Sequence, residues 1–138
     1  MTNRVSYTLD STLDSVNHAE STASEVAAKA GFSEDEQDNI AMAVREAAVN
    51  AVLHGNQRDP AKKFFVAYET TVDTLVITIT DQGQGLDPSL IPDPLSPENL
   101  MKGSGRGIFL IRAFMDEVRF RNVAPGTEIT LIKHVNRK

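Results

Sequence analysis

The sequence predicts an α+β fold: a two-layer α/β sandwich with a mixed, mostly antiparallel sheet and helices on one face. Three observations lead there. Strand-like segments lie near residues 5–9, 64–68, 75–79, 117–122 and 128–135: apolar and polar residues alternate in the first and the last two, and the other two are short apolar runs. The last four of these segments come in pairs joined by short polar turns, which is the signal of hairpins rather than of a strand–helix–strand series. Two long segments of helical spacing precede the first hairpin, so helices are available to cover one side of the sheet.

Taken in order, Val5-Ser6-Tyr7-Thr8-Leu9 reads as the first strand. Residues 12–30 read as a helix closed by Gly31, a residue suited to the left-handed C-cap. Its apolar stripe (Leu13, Val16, Ala19, Ala23, Val26, Ala27) is narrow, so much of this helix should face solvent or a partner. Ser33 followed by Glu36 forms a capping box. It opens a second helix expected to run to His54 and stop at Gly55. Ile40, Val44, Ala47 and Ala51 give that helix one buried face.

Residues 56–63 are polar, contain a proline and read as a loop. The strands at 64–68 and 75–79 turn through Val72-Asp73-Thr74. Residues 81–102 then carry four prolines and Gly83 and Gly85, so a long loop is expected, with room for one helical turn near 97–101. A loop of this length inside a compact domain is usually functional. Residues 108–115 read as a helix launched from Gly103-Ser104-Gly105-Arg106-Gly107, and a last hairpin turns at Pro125-Gly126.

Composition narrows the function. The chain has 138 residues, 41% of them hydrophobic and 24% charged. That suits one globular domain, 1–138, with a core of its own. The absence of cysteine excludes disulfides and thiolate metal sites. A formal charge of −5 argues against nucleic-acid partners, which call for a basic face. The locally basic tail, 133–138, reads as a solvated end. No signal peptide is visible at residues 1–10, and no apolar run approaches the roughly 20 residues of a membrane span. A cytoplasmic address, with no membrane partner, is the expectation.

Four short constellations carry the chemistry. Glu46, Asn50 and His54 are spaced four apart and are expected on one helix face. Asn50 offers a neutral oxygen of the kind Mg2+ accepts. Glu46 is a candidate to polarise a hydroxyl or water attacking phosphorus. Taken alone, the same residues equally describe the polar edge of an amphipathic helix. Asp81-Gln82-Gly83-Gln84-Gly85 follows a strand. Its carboxylate can accept a hydrogen bond from an exocyclic amine such as that of adenine, and its glycines let backbone approach a flat ring; an ordinary turn is the plain alternative.

Gly103-Ser104-Gly105-Arg106-Gly107 running into a helix offers an anion site, with Arg106 or Lys102 as added charge. It is neither the dinucleotide fingerprint nor a P-loop. Gly126-Thr127 enters the last strand, where the threonine hydroxyl could support Asp81 through a water or simply open a strand after a turn.

In this order the four resemble the nucleotide site of the histidine-kinase-like ATPases, the GHKL superfamily with the Bergerat fold. The shared pattern is Glu-x-x-x-Asn, Asp-x-Gly-x-Gly, a lid, Gly-x-Gly-x-Gly, then Gly-Thr. The likeness covers the chain from about Ser33 to its end. A short domain of this kind with His54-Gly55 after Asn50 looks like the bacterial anti-sigma-factor serine/threonine kinases.

The resemblance implies ATP and Mg2+ as cofactors. It implies Glu46 as general base, Asn50 as the Mg2+ ligand and Asp81 as the adenine contact. Gly83 and Gly85 would flank the base; Gly103, Ser104, Gly105, Arg106 and Gly107 would bind phosphate; Thr127 would support the adenine pocket. Residues 86–102 would form the ATP lid. Arg106 stands where relatives often carry leucine, and the lid has a proline-rich insert at 88–97.

The implied function is a protein kinase that phosphorylates a STAS-domain anti-anti-sigma factor and sequesters a sigma factor or similar client. A homodimer through the face opposite the nucleotide fits the same pattern. The competing reading is a nucleotide-gated binding module without catalysis. A sensor histidine kinase is disfavoured, because His18 lacks the surrounding phosphoacceptor pattern and reads as a surface or partner-facing residue. Hydrolysis of the gyrase or chaperone type would require transducer domains that are not in this sequence.

Overall fold

The expected strands assemble as one five-stranded sheet in the order β1-β2-β3-β5-β4 in the computed structural model, which describes residues 3–83, 105–123 and 125–135. The strands are β1 (Asn3–Asp10), β2 (Lys63–Thr70), β3 (Thr74–Thr80), β4 (Glu117–Asn122) and β5 (Thr127–His134). All four pairings are antiparallel, so the sheet expected to be mixed is antiparallel throughout its described strands. The helices are α1 (Leu13–Ala30), α2 (Glu34–Val49) and α3 (Gly105–Phe114).

Register explains why one face is buried. Val66, Ile79 and Ile129 lie side by side across β2, β3 and β5, and Tyr68, Ile77 and Leu131 form the next row. All six are buried. Residues between them point to the other face: Phe65, Thr80 and Glu128 in one row, Ala67, Thr78 and Thr130 in another. A one-residue slip would exchange the two faces, so the apolar pattern fixes the register.

The helices cover the apolar face. The narrow stripe of α1 buries Val16, Ala19, Thr22, Ala23 and Ala27. Its small residues let α1 lie close against α2, the helix with which it makes most of its contact. Leu13, expected in that stripe, is 58% exposed, because it stands at the first residue of the helix, beyond the reach of α2. The Tyr68 hydroxyl donates to the Ala19 carbonyl at 2.7 Å, pinning α1 to the sheet. Arg45 reaches back from α2 to Asn17 at 2.8 Å and to Glu20 at 3.7 Å.

Helix ends follow local chemistry. Thr12 caps α1 by accepting from the Ser15 N–H, and Gly31 closes it at φ 96°. The capping box of Ser33 and Glu36 is formed in both directions. The second helix does not continue as α to His54. It changes at Asn50 into a π-helical segment, Asn50–Gly55, with the Asn56 N–H bonded to the Ala51 carbonyl at 2.8 Å. Such wider turns recur at functional sites. No helix among the described residues is long and apolar enough to cross a membrane.

Candidate functional site

Asp81 follows β3 directly and is 8% exposed. Its N–H donates to the Thr127 carbonyl at 3.0 Å, extending the β3–β5 ladder by one step beyond Thr80 and Glu128. Its Oδ1 accepts the N–H of Gly83 at 2.9 Å and of Thr127 at 3.1 Å. Burial pushes the carboxyl above its ordinary range, opposed by these two N–H bonds and by the nearby Lys62 charge. A buried carboxylate needs such partners to stay ionised.

Three glycines close around this residue because side chains would not fit. A Cβ on Gly55 would lie 2.1 Å from Asp81 Oδ2; one on Gly83 would lie 2.0 Å from the Gly55 carbonyl oxygen; one on Gly126 would lie 2.0 Å from the Asp81 carbonyl oxygen. Gly126 also sits at φ 105°, where an L side chain is strained. The end of the π-helical segment, the start of the loop after β3 and the turn before β5 therefore converge as backbone on one carboxylate.

A buried amide locks the same junction. Asn56 is fully buried. Its Oδ1 accepts the Gln82 N–H at 2.7 Å, and its Nδ2 donates to Ser11 Oγ and to the Lys63 carbonyl, each at 2.9 Å. Ser11 Oγ donates to the Lys62 carbonyl at 2.7 Å, and Gln82 Oε1 accepts the Lys63 N–H at 2.7 Å. Every polar atom of the Asn56 side chain is used.

Glu46 lies in the last turn of α2 and Asn50 at the first residue of the π-helical segment, both half-buried. They are separated by about 6 Å along the helix axis. Neither side chain is bonded to another described residue. His54, expected on the same face, lies in the π-helical segment and is exposed. Helix α3 packs against α2. Its described span is Gly105–Phe114, so Gly105, Arg106 and Gly107 are helical, ahead of the start expected at Ile108.

The structure thus brings Asp81, Gly83 and Thr127 together, with Gly55 and the helix carrying Glu46 and Asn50 behind them. Thr127 meets Asp81 through its backbone N–H and carbonyl. Gly85, Gly103 and Ser104, the rest of the expected lid and its helical turn at 97–101 lie outside the described residues, and so does the side chain of Arg106. Sequence reading missed Gly55 as a packing residue, Gly126 as part of the cradle, and Asn56 and Ser11 altogether. Gly126 stood beside a residue already singled out, but nothing local distinguishes Asn56 from any polar loop residue.

Tested on its donors, the site fits a nucleotide and a hard cation. A carboxylate, the acceptor that an exocyclic amine needs, is held by close-packed glycines, and Asn50 carries a neutral oxygen one turn from the Glu46 carboxylate. Fold and site together define an ATPase-type nucleotide-binding domain in which a helical layer covers one face of an antiparallel sheet. The chain belongs to the histidine kinase-like ATPase domain family, whose model matches residues 9–133.

Its relatives include the serine-protein kinase RsbW of Bacillus licheniformis, 33% identical over 126 residues, covering 85% of this chain and 76% of the relative. The anti-sigma F factor of Anoxybacillus flavithermus is 34% identical over 108 residues, covering 75% and 73%. Among solved structures, the RsbU and RsbW domains of a Mycobacterium tuberculosis protein superpose with a TM-score of 0.72 at 23% identity. That match covers 99% of this chain and 33% of the other, and it bears on the fold alone.

Proposed function

We propose that this chain is an ATP-dependent serine/threonine protein kinase of the anti-sigma type, acting as a single cytoplasmic domain. In this reading it phosphorylates a STAS-domain anti-anti-sigma factor and holds a sigma factor or similar client when that antagonist is modified. The observation that carries the reading is the caged Asp81 carboxylate together with two side chains on the adjoining helical segment, Glu46 and Asn50, that bond no other described residue. The names of the relatives support the same activity.

In this mechanism Asp81 accepts a hydrogen bond from the adenine amine. Both backbone donors bind Oδ1, which leaves Oδ2 without a hydrogen-bond donor among the described residues. Gly83 lets the Gly55 backbone pack against the loop that carries Asp81, which holds the carboxylate in place for the base. Asn50 would hold Mg2+ through its amide oxygen, and the bound ion would neutralise phosphate charge. Glu46 accepts the proton of the attacking serine or threonine hydroxyl as that oxygen bonds to the γ-phosphorus and ADP departs. The N–H groups of Gly105, Arg106 and Gly107 in α3, together with Gly103 and Ser104 before them, would bind the phosphates; Gly85 would flank the base.

The test is transfer of label from γ-labelled Mg-ATP to a purified STAS-domain protein encoded beside this chain. Label on that protein is expected with wild type. Glu46→Gln should lower transfer at least about a hundredfold while ATP binding persists. Equal transfer by wild type and Glu46→Gln would remove Glu46 from the chemistry. Tight ATP binding by wild type with no transfer would favour a nucleotide-gated binding role instead.

A further inference from the structure

We infer that Asn56 is a positioning residue for the base-recognising carboxylate: it fixes Asp81 against the end of the π-helical segment and so sets adenine selectivity. The inference rests on the reading of Asp81 as the adenine contact.

Asp81 is held from two sides. On one side, β5 bonds it through the Thr127 N–H and carbonyl. On the other, residues 55–56 lie against 81–83. That side has no ladder of its own. The Gly55 backbone touches Asp81 Oδ2 and Gly83 so closely that neither glycine can carry a side chain. Among the described residues, a hydrogen bond from the Gln82 N–H to Asn56 Oδ1, at 2.7 Å, joins these two segments. Gln82 stands between Asp81 and Gly83, so this bond sets the height of both.

Asn56 is itself fixed. It is fully buried, and its Nδ2 is bonded to Ser11 Oγ at the start of α1 and to the Lys63 carbonyl at the start of β2. The Gln82 side chain returns to the Lys63 N–H. The amide therefore joins the segment that follows Asn50 to the loop that carries Asp81, as a strand pairing would. Without it, the Gln82 N–H loses its partner and the loop can move away from Gly55. The Asn56 side chain bonds Ser11, Lys63 and Gln82, and makes no bond to Asn50 or to Gly105–Gly107 of α3, where metal and phosphate would be held. The loss should therefore fall on discrimination at the base, more than on binding of the triphosphate.

The experiment measures dissociation constants for Mg-ATP and Mg-GTP by competition with a fluorescent nucleotide. Wild type, Asn56→Ala, Ser11→Ala and Asp81→Asn are compared, each with its melting temperature. Ser11→Ala removes an outer partner of Asn56 but keeps the Asn56–Gln82 bond. The preference for ATP over GTP is expected to fall roughly three- to tenfold in Asn56→Ala, the effect of about one hydrogen bond. It should stay within about twofold of wild type in Ser11→Ala, although both variants melt lower.

Equal loss of melting temperature in the two variants with an unchanged preference would make Asn56 merely structural and overturn the inference. An unchanged preference in Asp81→Asn would instead remove the reading on which the inference rests. Should Asn56→Ala fail to fold, amide exchange in nucleotide-free wild type decides. The Gln82 N–H should exchange as slowly as the Asp81 N–H, and exchange at the rate of an exposed amide would overturn the inference.

Discussion

At the scale of single residues, the site is a balance around one carboxylate. Burial raises the Asp81 pKa above its ordinary 3.8, against the pull of the Gly83 and Thr127 N–H groups and of Lys62. A raised folded-state pKa means that the folded protein binds this proton more tightly than the unfolded chain does. The stability linked to it is full below the ordinary carboxylate pKa and is lost as pH rises through the folded value. Asp81→Asn cannot titrate. Urea unfolding of the nucleotide-free protein from about pH 4 to pH 7 should show the variant gaining stability relative to wild type as pH climbs. A difference that does not change with pH would contradict this account of Asp81. The motif residue itself was legible, because an acid and two glycines after a strand have few uses in common. Asn56 was not, since its three partners come from distant parts of the chain. Gly55 was legible as a helix stop, but the stronger reason for glycine there is the Asp81 carboxylate.

At the scale of elements, local chemistry was readable and winding was not. The capping box at Ser33 and Glu36 and the C-cap at Gly31 form as their residue types dictate. Reading a constant 3.6-residue period through residues 34–54 placed His54 beside Glu46 and Asn50. There the chain is π-helical and His54 is exposed, and the segment delivers Gly55 and Asn56 to the loop after β3. No residue between Asn50 and Gly55 announces the change, because it is set by where the chain must meet Asp81. Helix α1 shows the opposite case: a weak apolar stripe is sufficient because its alanines pack closely and Tyr68 anchors it. Tyr68→Phe should cost about 1 kcal/mol in unfolding free energy, the worth of a buried hydrogen bond. Unchanged stability on denaturant unfolding would show that this bond does not hold α1.

At the scale of the molecule, the two hairpins were legible but their order in the sheet was not. Pairing β3 with β5 leaves β4 at the edge. The reason lies in the side chains: β5 buries Ile129 and Leu131, whereas β4 carries exposed Glu117, Arg119 and Arg121, and charge suits an edge strand. This order brings Thr127 beside Asp81, so the site depends on a long-range pairing that strand periodicity does not specify. Among the described residues, no helix lies on the opposite face of the sheet, with Ala67, Thr78 and Thr130. The two faces give the central claim a direct test: an amide chemical-shift titration of the 15N-labelled protein with Mg-ATP. The largest changes are expected at Gly83, Thr127, Asn50 and Gly105, with Ala67, Thr78 and Thr130 nearly still. Changes concentrated on that outer face, with Gly83 and Thr127 unmoved, would contradict the placement of ATP at Asp81.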